Sequence, residues 1–166
     1  MIDRYSDQPA SSISTLIGEL AALGYKAVDM DDAGWSEYRW ISDPSVVDGA
    51  GVREWVWQEE RVRDLLSADD ADVLFVGGCA SNQWQFYAQF DHIVLLSAPV
   101  PVMVERLATR TTNSFGKDPA ELARILDDQA NVEPRLRSIA TVELDTRAPV
   151  GELVTAVVAL VGRSIE

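Results

Sequence analysis

Two short stretches of this chain end in residues that could receive a ligand. Asp72–Cys79 reads Asp-Val-Leu-Phe-Val-Gly-Gly-Cys, an unbroken apolar run (Val73–Val76) that stops at paired glycines. Lys26–Met30 is a second run of strand character, and it ends among three acids, Asp29, Asp31 and Asp32. A strand without polar alternation is buried on both faces, which points to a parallel sheet covered by helices. In open sheets of that kind, ligands bind at the carboxyl ends of the strands. Glycines there either let backbone approach backbone or let a ligand sit directly on the strand end. The run alone does not choose between these uses. Farther along, Arg106, Arg110, Lys117, Arg124, Arg135, Arg137 and Arg147 supply cations for an anionic ligand, or equally the charged face of solvated helices.

The bulk numbers narrow the chemistry. The 166 residues suit one domain with a substantial core. The net charge of −13 argues against a nucleic-acid partner. That charge is uneven: residues 1–103 hold 6 Lys/Arg against 17 Asp/Glu, while residues 104–147 hold 7 against 8. Cationic contacts are therefore expected from the second region. Cys79 and His92 are the only residues of their types, which excludes an internal disulfide, a cysteine-built zinc site and a multi-histidine centre. No apolar run approaches membrane-spanning length and no basic-then-apolar leader opens the chain, so a cytoplasmic location without a membrane partner is the expectation.

These groups need elements to position them. Residues 1–12 show no strand or helix period. Leu16, Ile17, Leu20 and Leu23 recur at helical spacing before Gly24, a well-placed terminator. Helix, glycine, strand and acids make half of a βαβ unit whose first apolar strand is missing. Residues 33–51 read as a loop-rich excursion in which Trp35, Tyr38 and Trp40 either stack on a ligand or pack onto the body; packing is the commoner use. Val52–Leu66 is expected to be an amphipathic helix carrying Trp55 and Trp57. A short aromatic helix follows at Trp84–Phe90, then a strand at Ile93–Leu96 and a helix at Val102–Arg110. A polar loop precedes a long helix, Ala120 to about Ala140, broken or kinked at Pro134. Strand Val142–Leu144 and helix Val150–Val161 close the chain. Alternating strands and helices predict a three-layer αβα domain around a parallel sheet of four or five strands.

In this order the pieces resemble the P-loop small-molecule and nucleotide kinases, with shikimate kinases nearest in layout and a further likeness to actinobacterial-type kinase-like ATPases. The likeness runs from about Ser14 to Leu160. Val28-Asp29-Met30-Asp31 resembles the family's second strand, Gly77-Gly78-Cys79 its acceptor-pocket glycines, and Glu105–Arg110 with Thr111–Lys117 its helix and lid. Val142–Thr146 resembles its last strand and adenine-side loop. The resemblance implies an acceptor-side insertion at 33–70 and a lid loop at 111–119. It also implies ATP and Mg²⁺ as cofactors and a small-molecule or nucleotide acceptor.

Carried over residue by residue, the likeness puts the metal at Ser14 and Asp29, and catalysis at Asp31, Arg110 and Lys117. The cofactor would lie against Ser14, Thr15, Arg106, Arg110 and Arg147, and the acceptor against Asp31, Gly77, Gly78, Trp35 and Arg137. One departure outweighs the matches: the family's G-x-x-x-x-G-K-[ST] loop is absent. With Ser14 as its last hydroxyl, Asp7 and Ser12 stand where glycines belong and Ile13 replaces the lysine. Either the loop has been lost or residues 1–13 are not the ancestral reading frame. Phosphoryl transfer is expected to be impaired or gone, because loss of one such electrostatic contact typically costs about 2.7–4 kcal/mol. The alternative is a non-catalytic ligand-binding or regulatory protein of the same fold.

Overall fold

The computed structural model describes residues 2–3, 12–41, 51–109 and 117–162. Five parallel strands form the main sheet: β1 (Ile2–Asp3), β2 (Lys26–Asp29), β5 (Leu74–Gly77), β6 (Val94–Ser97) and β7 (Val142–Asp145), in the order β2-β5-β1-β6-β7. Two more strands, β3 (Ser36–Ile41) and β4 (Val52–Trp57), form an antiparallel pair of their own. The helices are α1 (Ser12–Ala22), α2 (Glu59–Ser67), α3 (Val100–Thr109), α4 (Pro119–Asn131), α5 (Glu133–Ile139) and α6 (Val150–Leu160). A 3₁₀ helix spans Gln83–Gln89.

Successive side chains of β5 enter different cores, as its unalternating composition requires. Phe75 joins Leu16, Ile17 and Leu20 of α1 and Leu153, Val154, Val157 and Val158 of α6. Val76 joins Met30, Trp57, Val62, Leu65, Phe86 and Ile93 in a second cluster under the β3–β4 pair, α2 and the 3₁₀ helix. Gly24 ends α1 as expected, at φ 88°. Its N–H donates to Ala21 O at 2.9 Å and the Tyr25 N–H donates to Leu20 O at 3.2 Å, the paired bonds of a left-handed helix stop. The helix expected from Ala120 to Ala140 is interrupted at Val132: Pro134 has no N–H to give, so α5 starts afresh there.

Three expectations are corrected. The missing first strand exists: Ile2 pairs with both Gly77 and Val94, and Asp3 with Leu95, so β1 is the central strand despite its two residues. Flanked on both sides, so short a strand needs little apolar length of its own. Second, Val52–Leu66 is not one helix. Val52–Trp57 is a strand, and only Glu59–Ser67 is helical. Branched and aromatic residues suit a strand whose partner is available, and Ser36–Ile41, within the excursion at 33–51, is that partner strand. Glu59 and Glu60, at the positive end of the α2 dipole, mark where the helix begins. Third, Trp84–Phe90 is a 3₁₀ rather than an α-helix.

Candidate functional site

Strands β2 and β5 run side by side in register, Lys26 beside Leu74 through Asp29 beside Gly77. The acids that follow β2 and the glycines that end β5 therefore lie together at one edge of the sheet's carboxyl end. Met30 N–H donates to Gly77 O at 2.7 Å, carrying the pairing one residue past the strand. Asp29 Oδ1 accepts the Asp31 backbone N–H at 3.0 Å, a tight turn that aims the chain back over the strand tip. Asp31 Oδ1 accepts the indole N–H of Trp55 at 3.3 Å. The hairpin is thereby joined to the acids, and Ser36 Oγ strengthens the join by donating to Met30 O at 2.6 Å.

The glycines serve close packing. A Cβ on Gly77 would stand 2.5 Å from Ile13 Cγ2 and 2.6 Å from Ile17 Cγ1, so α1 rests directly on the strand end. Gly78, at φ 141°, would bring a Cβ to 2.7 Å from that of Met30. On the side a Cβ would take, Gly77 and Gly78 are covered by this chain's own side chains, and these residues shape the strand tip by admitting α1 and Met30. Trp35 likewise packs: the Arg61 guanidinium lies 4.8 Å from its ring centroid, and the ring borders the second core.

The cationic candidates gather elsewhere. Arg106, near the end of α3, donates from both terminal nitrogens to Thr146, at 2.8 Å to Oγ1 and 2.7 Å to the carbonyl. Thr146 is buried just after β7, so this fork fastens α3 to the β7–α6 turn. Arg147 pairs with Asp145 in the same turn, at 2.5 Å. Arg106 and Arg147 thus meet neighbouring residues of one turn, and each is engaged with protein. Replacing Arg106 with alanine is expected to cost about 1–3 kcal/mol by leaving buried polar groups of Thr146 unmatched. Urea unfolding would register this as a lower midpoint with an unchanged slope.

Arg137 binds Glu133 at 2.6 Å and Glu143 at 2.8 Å. Glu143 lies on β7, the edge strand opposite β2, so Arg137 and Asp31 are not brought together. Arg137, with help from Ser97, holds the Glu143 carboxyl below its ordinary value of 4.5. A carboxylate depressed by folding contributes stability above its unfolded pKa and loses that contribution as pH falls through the folded value. Arg137→Ala should therefore raise the Glu143 titration midpoint towards 4.5 in a carbon-detected NMR titration. Its effect on stability at neutral pH should stay below about 1 kcal/mol, because both side chains are more than a third exposed.

The remaining candidates are dispersed. Ser14 has its Oγ enclosed with no hydrogen-bond partner among the described residues, Thr15 is exposed, and Ile13 beside them is only 2 % exposed. One Asp29 oxygen is turned to its own backbone, as the Asp31 N–H bond shows. Among the described residues no group of three or more His, Cys, Asp or Glu is placed to hold a metal. Lys117 is exposed ahead of α4, whose first turn Asp118 caps by accepting the Ala120 N–H at 2.8 Å. Arg110 and most of the 111–119 lid loop lie outside the described residues, as do residues 4–11 between β1 and α1.

Sequence reasoning missed Trp55 as the residue facing Asp31, because it placed Trp55 on a helix. It also missed Asn82, whose buried amide accepts the Trp57 N–H at 2.8 Å and donates to Trp57 O at 3.0 Å. No helix among the described residues is long and apolar enough to cross a membrane. Compared with protein-family models, with curated proteins and with solved structures, the chain has no match in any of the three.

Proposed function

We propose that this chain is a P-loop-kinase-like protein of three-layer αβα build that binds a small-molecule or nucleotide ligand at the carboxyl ends of its strands, with phosphoryl transfer impaired. The observation that carries the reading is the register of Asp29 with Gly77, which sets the acids and the strand-tip glycines at one edge of the crevice. The sheet order supports it. The chain leaves β1 towards β2 on one side and β6 towards β7 on the other, so the connections diverge at the sheet centre, where open sheets hold their ligands. Strand β5, with its glycines, is the neighbour of β1 there.

Burial of Ile13 favours the non-catalytic form of this reading. The residue in the place of the phosphate-binding lysine packs against Gly77 in the core, where it offers no charge to a transferring phosphate. Thermal shift with ATP–Mg²⁺, nucleosides and sugars, run beside an ADP-release assay, tests both halves. Ligand stabilisation without turnover is the expected outcome. Turnover at about 1–100 s⁻¹, the ordinary kinase range, would show that a phosphate loop operates without the lysine. Stabilisation by nucleotide would mark retained kinase character, and stabilisation by acceptor-like ligands alone would mark a binding module.

A further inference from the structure

The β3–β4 hairpin presents one face whose use packing explains only in part. Its register sets Ser36 opposite Trp57, Tyr38 opposite Trp55 and Trp40 opposite Arg53. The two-residue period of strands puts these six side chains on one side. Exposure rises along that side, from Trp57 at 0 % through half-buried Trp55 to Tyr38 at 48 % and Trp40 at 71 %. The Tyr38 and Trp55 rings lie 4.7 Å apart, and the Arg53 guanidinium sits 4.2 Å from the Tyr38 centroid. At the inner end, Trp55 reaches the Asp31 carboxylate. Single exposed apolar residues are ordinary on any surface. A continuous aromatic line from core to solvent, with a carboxylate beside it, is a different object. The core accounts for Trp57 and Trp55, but an indole left 71 % exposed at Trp40 gains little from folding.

We infer that this face binds a neutral hydroxylated ring, of the sugar or cyclitol class. The exposed Trp40 indole is the stacking platform for the ring's C–H face, Arg53 opposite it donates to one hydroxyl, and Asp31, at the inner end of the same side, accepts another. Charge selects this class over other ring ligands. Asp29, Asp31, Asp32, Glu37 and Glu54 stand on or beside the hairpin and repel a phosphate-bearing ring. Arg39 is already engaged by Glu37 at 2.7 Å, so no paired cationic fork is offered to a phosphate. A cationic ring on Trp40, in turn, meets the like charge of the Arg53 guanidinium directly opposite. Stacking plus a few placed polar groups is the usual composition of a small-molecule site. The site shares Asp31 with the proposed function and to that extent rests on that reading, but it needs neither nucleotide nor phosphoryl transfer.

Titrating the full chain with glucose, N-acetylglucosamine and myo-inositol into the millimolar range tests the site, read by tryptophan fluorescence and by indole N–H resonances in NMR. A saturable shift of the Trp55 indole signal is expected with at least one of the three. Trp40→Ala should weaken that affinity roughly tenfold, the scale of one aromatic contact, without moving the melting temperature. Asp31→Asn should weaken it as well. No saturable response, a response unchanged in Trp40→Ala, or a preference for adenosine or choline would each overturn the site. Dimerisation that disappears in Trp40→Ala would overturn it in favour of a protein interface. Failure with sugars alongside stabilisation by ATP–Mg²⁺ would remove this site and leave the nucleotide reading standing; the reverse result would do the opposite.

Discussion

Replacing Ile13 with lysine is expected to lower the melting temperature by on the order of 10 °C and to confer no affinity for ATP–Mg²⁺. Sequence likeness alone makes this the restoring substitution, since it returns the missing cation to its place before Ser14. The structure predicts the opposite. Ile13 is 2 % exposed in the first turn of α1 and shares a core with Leu16, Ile17, Phe75 and Val94. A lysine there leaves its ammonium among apolar groups, and burying an unpaired charge costs several kcal/mol even after relaxation. Its position at the positive end of the helix dipole adds to the cost. Ile13→Val serves as the control and should lose only about 0.5–1.5 kcal/mol. A lysine variant that stays stable and gains nucleotide affinity would show that position 13 faces a phosphate site instead of the core.

The second large effect is expected at Asn82. Its side-chain amide stands in for a neighbouring strand, accepting from and donating to the backbone of Trp57. With alanine there, a buried N–H and a buried carbonyl both lose their partner, at about 1–3 kcal/mol each. Asn82→Asp distinguishes hydrogen bonding from packing, because it keeps the shape and the acceptor while losing the donor and adding a charge beside a carbonyl. Both variants should loosen the hairpin from the body, which hydrogen exchange at Trp55 and Val56 would report as faster than in the wild type. If Asn82→Ala unfolds with wild-type free energy, the amide does not hold the hairpin.

Most of the parallel sheet is legible in the sequence, because β5 and β6 are apolar in the unbroken way that burial on two faces demands, and α6 buries Leu153, Val154, Val157 and Val158 at helical spacing. Gly24 and Pro134 announce their breaks for local reasons that no tertiary contact overrides. The hairpin is less legible. Val52–Trp57 alternates imperfectly, since Val56 and Trp57 are both buried, and its identity as a strand depends on a partner more than ten residues earlier. Strand β1 was hidden for a related reason: two residues carry no period, and only pairing on both sides defines them. At the candidate site, the meeting of Asp29 with Gly77 follows from strand order and was within reach of the sequence. The Asp31–Trp55 contact and the close approach of Ile13 and Ile17 to Gly77 depend on side-chain placement, which residue order does not reveal.

A backbone amide NMR titration, with ATP–Mg²⁺ and the neutral ring compounds added separately, bears most directly on the strand-tip crevice. Perturbed signals at Asp31, Gly77, Gly78 and Ser81, and at the Trp55 indole, are the expected result for a ligand held between β2, β5 and the hairpin. Perturbations confined to the far edge, around Arg137 and Glu143, or none with any ligand, would contradict it.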